Sequence, residues 1–359
     1  MIFSNVVTDI TYNEILPSVV DQINNSNVLT ARVLSAPKRW RGTSMDQPVQ
    51  YQNSNTGGSF DGMDTFSTAA TNNTKKMVWY IKAYQQSVVV PGLERVVNET
   101  GDKAAVSLVG QKMDEAKNSM ADAVGTILYG AGVGKNFDGL GLIVDAGGNS
   151  SSYGTLARST NPWINGDVTP VSGGLITLDY LSSEHDNISA ASVQSESPTI
   201  GLTTKAVFTN IESLIAPTMQ AMYTATQING YNKVTGGTPM GTSIQAQELK
   251  GAAGFNAISY RGLPIVGDDK CDTGTFFWLN ERYLGFYAAR DKTLQAISST
   301  NQVTEGVYKE APMPSAFQFR EMMSPTAQYG EVGHILLLGN MFHRQPRRNG
   351  KLTGITGIA

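Results

Sequence analysis

Four stretches of this 359-residue chain hold side chains whose types and spacing could do chemistry. Residues 130–136 read Gly-Ala-Gly-Val-Gly-Lys-Asn, close to a phosphate-binding loop. That loop needs Gly-x4-Gly-Lys-Ser/Thr between a strand and a helix, so that backbone N–H groups cradle phosphate and a hydroxyl meets Mg²⁺. Here Asn136 replaces the hydroxyl and the segment follows a helical pattern, so the reading is a helix C-terminal turn. Glu184-His185-Asp186 could ligate a metal, but adjacent side chains rarely converge on one ion. The other histidines are His334 and His343, and the single Cys271 supplies no thiolate set. A solvated helix end is expected there. Asp268-Asp269-Lys270-Cys271 follows the apolar run Leu263–Val266; paired carboxylates can serve as acid and base, but a turn with exposed charge is the expectation. No Gly-x-Ser-x-Gly elbow follows a strand. The basic stretch 343–351 could touch nucleic-acid phosphate. Carboxylates of an adjacent subunit suit its arginine forks better, and the same reading extends to Lys38, Arg39 and Arg41. Trp40, Trp79, Trp163 and Trp278 are expected as packing or interface anchors. No catalytic, cofactor or metal site is expected.

Composition narrows the class. Hydrophobic residues make up 40% of the chain, enough for a sizeable core, while charged residues make up only 16%. The formal net charge of −3 gives no global field for nucleic acid. One cysteine forbids an intrachain disulfide and suits a reducing compartment such as a cytoplasm. No apolar run approaches a membrane span. The first residues lack a basic n-region and carry Asp9 and Glu14, so no secretory signal is expected.

The element on which the rest hangs is Gly101–Gly130. Apolar residues recur at Ala105, Leu108, Val109, Ala116, Met120, Ala123, Val124, Ile127 and Leu128, and these steps form one stripe of a long helix. About 28 residues at 1.5 Å each predict a rod of roughly 42 Å, with the strands near Val332–Phe342 laid along it. Residues 42–91 alternate around Val49–Tyr51 and Met77–Val90, with about 23 residues of mostly Gly, Ser, Thr and Asn between. The pattern predicts a long hairpin with a loose tip. Neither arm shows a continuous apolar face, so a neighbouring subunit is the expected support.

Around these, Ile15–Leu34 predicts a short helix and then a second helix or extended piece. Leu93–Asn98 predicts a strand or turn, and residues 136–170 an ordered, turn-rich linker. Residues 171–310 read as an α/β region. Its helices are expected at Leu175–Ile188 and at 205–215, the latter capped by Thr204. Its strands are expected at Thr199–Thr203, Ala257–Tyr260, Leu263–Val266 and Thr275–Leu279, followed by a helical turn at Glu281–Leu284. Phe317–Met323 and Val332–Phe342 predict long strands, followed by a basic tail.

Six phrases occur in one order along the chain. They are LPSVVDQINNSNVLTARVL (16–34), GGSFDGMDTFSTA (57–69), YGTLARSTNPWINGDV (153–168), FNAISYRGLPIVGDDKC (255–271), FFWLNERYLGFY (276–287) and GHILLLGNMFHRQPRRNGKLTGI (333–355). With the element order, they resemble the major capsid proteins of tailed bacteriophages, the Hong Kong 97 fold. The resemblance implies an α+β chain with five parts. Residues 1–41 would be an N-terminal arm and 42–91 an extended loop. Residues 92–164, with the spine helix and linker, would form a peripheral domain completed by 311–359. Residues 165–310 would be an axial domain, its ring contacts around 228–250. It further implies pentamers and hexamers of the chain itself in an icosahedral shell around double-stranded DNA. The shell would be assembled in a host bacterial cytoplasm and found in the virion, without a membrane. A portal protein is the expected further partner, with room for separate scaffold and decoration proteins. The chain starts a few residues before the arm, so any scaffold is expected as a separate protein. Some members join an extended-loop lysine to a neighbour's asparagine; residues 53–74 contain no lysine, and no such crosslink is expected. The alternative is an encapsulin-like compartment holding cargo enzymes.

Overall fold

The computed structural model describes residues 27–35, 37–54, 56–66, 71–98, 108–190, 196–215, 257–289, 295–296, 316–325 and 329–358. Helix α1 (Val28–Ser35) leads into β1 (Lys38–Arg39). β2 (Ser44–Gln50) and β3 (Thr74–Tyr80) form an antiparallel ribbon. Ile81 interrupts the strand, and β4 (Lys82–Pro91) runs on into α2 (Gly92–Asn98). The rod is α3 (Leu108–Tyr129). A helical turn, α4 (Leu140–Ile143), precedes the small hairpin β5 (Ser152–Tyr153) and β6 (Leu156–Ala157). Then come β7 (Asp167–Pro170), β8 (Leu175–Ile176), α5 (Leu178–Ser189), β9 (Ile200–Thr203) and α6 (205–215). β10 (Ala257–Tyr260), β11 (Leu263–Gly267), β12 (Phe276–Leu279) and β13 (Leu284–Ala288) follow. The chain closes with β14 (Gln295–Ala296), β15 (Phe317–Met323), β16 (Gly330–His343), β17 (Gly350–Thr353) and β18 (Gly357–Ile358).

Two six-stranded sheets organise these elements. The first runs β1-β13-β16-β15-β14, with β4 also on β16. β16 can serve so many partners because its 14 residues alternate small or apolar side chains, with Val332–Leu337 between β4 and β15. The second runs β10-β11-β9-β12-β17-β7. β12 is buried on both faces, as its uninterrupted Phe-Phe-Trp-Leu demands. Phe277 and Leu279 join the large core shared by the rod, the ribbon and the first sheet, while Phe276 and Trp278 join a smaller core under α5. β12 therefore ties the two cores together, and β11 does the same through Val266 and Ile265.

The rod differs from its sequence expectation in length and in neighbour. It is described from Leu108, and 22 residues give about 33 Å; residues 99–107 lie outside the described set. Ala116, Met120, Val124 and Leu128, four apart, are its buried stripe. β4, more than β16, lies against it. Val88 and Val90 of β4 are buried while Val89 between them is half-exposed, so β4 is a sheet strand first and no free hairpin arm. α1 docks on the rod through Asn27, whose Nδ2 donates to the Ala121 carbonyl at 2.9 Å. A side chain at Gly125 would strike that amide.

Several local expectations are corrected. Leu93–Asn98 is helical, since Leu93, Val96 and Val97 follow helical spacing. Glu281–Tyr283 is a turn and Leu284 opens a strand, because Asn280 Oδ1 accepts from Arg282 N–H and Thr199 Oγ1 from Glu281 N–H, leaving no helical pairing. Residues 343–351 are no tail: Pro346–Arg348 form one 3₁₀ turn, and β17 sits between β12 and β7. The final segment thus serves both sheets, and β13 returns the 165–310 segment to the first sheet. Expectations on 1–26, on the loops around 228–250 and on the break at 251–255 lie outside the described residues. Among the described residues no helix is long and apolar enough to cross a membrane.

Candidate functional site

The ribbon ends in an exposed tip, and its root is built from named contacts. Trp79 stacks on Phe342 with ring centroids 4.1 Å apart and 8° between planes. Phe342 stacks in turn on Tyr287 at 4.3 Å, and Trp40 meets its edge. Tyr153 closes the group edge-on to Trp79. Such stacked and edge-on pairs each contribute about 0.5–1.5 kcal/mol beyond area burial. Below the aromatics, Lys82 Nζ donates to Asp138 Oδ1 at 2.8 Å and to the Asn136 carbonyl at 2.6 Å. Asn340 Nδ2 donates to the other Asp138 oxygen at 2.8 Å and to the Tyr80 carbonyl at 3.1 Å. The break at Ile81 is thereby fastened to the turn after the rod and to β16 together.

Alternation along the strands gives the ribbon an inner face of Met45, Gln47, Val49 and Tyr51 with Lys75, Met77 and Trp79. Met77 and Trp79 are buried, and Met45 and Val49 pack on the main core. Gln47 and Lys75 do interrupt this face, as expected of arms without a continuous apolar face, but the root of the ribbon is buried by its own chain and not left to a neighbouring subunit. This face rests on the chain's own residues 151–165. Val78 N–H donates to the Gly154 carbonyl at 3.0 Å. Gly154 holds φ +55°, and a side chain there would meet Met77. Beyond Tyr51 the described residues are mostly exposed. Phe60, Met63 and Phe66 are 65%, 100% and 68% exposed, with Phe60 and Phe66 edge-on at 5.1 Å.

The residues flagged for chemistry are scattered. The loop after the rod turns the Asn136 carbonyl toward the Lys82 ammonium, the opposite polarity from a phosphate cradle. Glu184 turns inward, away from His185 and Asp186, which meet each other at 3.3 Å on the outer side. Asp186 pairs with Arg261, and His185 lies edge-on to Trp278. Glu184 is buried, which corrects the expectation of a solvated helix end. Among the described residues neither of its oxygens has a hydrogen-bond partner in good geometry. Burial pushes its pKa up to about 7; the nearby Thr169 hydroxyl works against this and the Asp167 charge with it. Asp268 is also buried, correcting the exposed-turn expectation. Its Oδ2 accepts from the Leu29 N–H and the Tyr129 hydroxyl, both at 3.0 Å, and its Oδ1 from Lys270 N–H. It ties α1, the rod's last residue and the turn after β11 together. Burial pushes the Cys271 thiol up to about 12, so it is inert at neutral pH.

Arg348, Lys351 and His343 of the basic stretch are held within the chain. Arg348 meets Glu196 at 3.1 Å and donates to the Ile188 carbonyl at 3.0 Å. Lys351 is buried in β17. His343 donates from Nε2 to the Asn280 carbonyl and accepts the Gln345 N–H at Nδ1, so it is neutral. Burial lowers its pKa to about 4; the Asn280 carbonyl opposes this and the nearby Arg344 charge adds to it. Lys75 and Lys76, at the base of the tip, engage Asn161 and Asp46 of their own chain. The shallow groove beside the ribbon root has only Lys82 and Asp138 as charged lining, and they neutralise each other. Arg158, buried and donating to the carbonyls of Leu142, Asp145 and Ile164, holds the 142–165 turns together. A lone arginine in a turn-rich stretch gave no sign of this.

No protein-family model and no curated protein matches the chain. Solved structures match along nearly all of it. The capsid of cyanophage A-1(L) superposes with a TM-score of 0.69 at 14% identity, covering 99% of this chain and 100% of that one. The capsid of a native GTA particle gives 0.57 at 11% identity, covering 98% and 96%. The holo-SrpI encapsulin of Synechococcus elongatus gives 0.50 at 9% identity, covering 100% and 99%. With a ribbon fastened at its root, a rod under a long shared strand and end-to-end correspondence, this chain has the mixed α+β fold of phage capsid proteins.

Proposed function

We propose that the chain is a major capsid protein, many copies of which form the icosahedral shell around the double-stranded DNA of a tailed bacteriophage. The observation that carries this reading is the tip: three large apolar side chains exposed on a projection whose root is rigidly held. A solitary protein gains nothing from such a hook; a second copy would bury it. Several modest contacts per copy then make a closed shell stable through multivalency. In the Hong Kong 97-type arrangement we assign, residues 1–41 are the arm and 42–91 the extended loop. Residues 92–164 with 311–359 form the peripheral domain, and 165–310 the axial domain that closes the rings. The role is structural and no residue is assigned to catalysis. Virion location, assembly in a bacterial cytoplasm and a portal partner belong to the same reading.

The encapsulin likeness keeps a second reading, a compartment holding cargo enzymes; the cyanophage capsid, at the higher TM-score, favours the first. Electron microscopy of the expressed protein tests both. Phage-like shells support the capsid reading, and small cargo-filled cages support the compartment. Removing residues 53–74, or replacing Phe60, Met63 and Phe66 together by serine, is expected to leave folded protein that forms no shells. Normal shells from either variant would refute the role given to the tip.

A further inference from the structure

The ribbon is held at two levels of unequal strength, and the upper one has the geometry of a clasp. Tyr51, at the end of β2, stacks on Trp163 with centroids 6.0 Å apart and 21° between planes. The Lys75 ammonium lies 4.9 Å from the centre of the Tyr51 ring on the opposite strand. The same ammonium donates to Asn161 Oδ1 at 2.6 Å. Asn161 is buried, and its own amide donates to the Ala157 carbonyl at 2.8 Å, so the acceptor is fixed. Trp163 follows Pro162 in a 3₁₀ turn and packs on the main core. Both strands of the ribbon are thus gripped at one height by one rigid turn. The root below relies on buried rings and a partly buried ion pair. The clasp relies on two half-exposed ring contacts and one hydrogen bond, so it opens first.

We infer that Tyr51, Lys75, Asn161 and Trp163 form a releasable clasp that sets the direction of residues 52–73. When it opens, the ribbon above Met77 pivots on the fastened root while the rest of the fold stays in place. A chain that must present one hook to neighbours at differing angles gains its adjustment at this point. The purpose given to the clasp rests on the shell reading; the clasp itself does not.

Hydrogen exchange on the dispersed, full-length protein tests it. Trp163→Ala is expected to speed exchange of amides in 47–51 and 74–76 by about tenfold, the loss of one stacked pair with its coupled cation contact. Amides of Trp79, Tyr80 and the rod should keep wild-type rates, and Trp163→Phe should restore most of the protection. Lys75→Met, which keeps the packing stem, should give a smaller effect at the same amides. Unchanged exchange in 47–51 and 74–76 would overturn the clasp, and so would faster exchange spread evenly over the chain in both Trp163→Ala and Lys75→Met. Microscopy of the same variants reads the shell function separately: uneven or open particles with a freed ribbon support the stated purpose. Uniform wild-type shells with a freed ribbon would retain the clasp and refute its role in aiming.

Discussion

Replacing Glu184 by glutamine should stabilise the protein increasingly as pH rises. The carboxyl sits on α5 against Gly350 of β17 and is 1% exposed, with its pKa pushed up to about 7. The native state therefore holds this proton while the unfolded chain, near 4.5, has released it. Between those values the folded state binds more protons, so stability falls as pH rises and the loss is complete above about 7. A difference of about 2.5 pKa units at 1.36 kcal/mol each amounts to about 3 kcal/mol. Glutamine cannot ionise and has nearly the same shape. Its buried amide brings its own desolvation cost, but that cost does not vary with pH. The informative quantity is thus the difference between variant and wild type at pH 8 minus the same difference at pH 4.5, expected at about 3 kcal/mol in favour of the variant. For 359 residues unfolding as one unit, at about 2.1 cal/mol/K per residue, that is a gain of about 4 °C in relative melting temperature. His343 works the opposite way, its pKa lowered to about 4, so its contribution is lost as pH falls from about 6.5 to 4. The wild type should then show a flatter pH profile than Glu184→Gln, whose stability should climb from pH 4 to 6.5. Thermal melts of unassembled protein across this range measure both. A shift equal at pH 4.5 and pH 8, or larger at pH 4.5, would refute the buried, proton-holding carboxyl.

Two further outcomes follow from the ties between elements. Asp268→Asn should cost about 2–3 kcal/mol, because an amide cannot accept from Leu29 N–H, Tyr129 hydroxyl and Lys270 N–H together; thermal melts should show it, with early proteolysis at α1, and full retention of stability would count against the tie. Lys82→Met and Asp138→Asn, singly and combined, should show a coupling of at least about 1 kcal/mol by chemical denaturation. Strict additivity would mean that the pair does not hold the ribbon root.

What the sequence disclosed, and what it hid, divides along physical lines. The rod's stripe, the Arg261-Gly262 turn between β10 and β11, and the Thr204 cap are local: period, turn type and cap are written within a few residues. The turn residues Arg261 and Gly262 sit at φ 51° and 79°, the geometry a tight hairpin needs. The ribbon's own support was hidden because its inner face includes Gln47 and Lys75, polar by type but half-buried in the fold. Glu184 and Asp268 were hidden for a related reason. A carboxylate followed by other charged residues reads as surface, and only distant chain brought against it takes it from water: Gly350 against Glu184, Leu29 and Tyr129 against Asp268. The basic stretch misled in the same sense, since its partners Glu196, Ile188 and Asn280 lie far off in sequence. Conversely the tip, where the function is assigned, was legible because Phe60, Met63 and Phe66 are left exposed among the described residues. Its apolar residues stand in a Gly- and Ser-rich setting with no period to bury them. Sequence therefore read best what one copy leaves unfinished. That is the part a second copy is expected to complete, and it is why the tip variants, acting above the root, should alter assembly while leaving the melting of the single chain nearly unchanged.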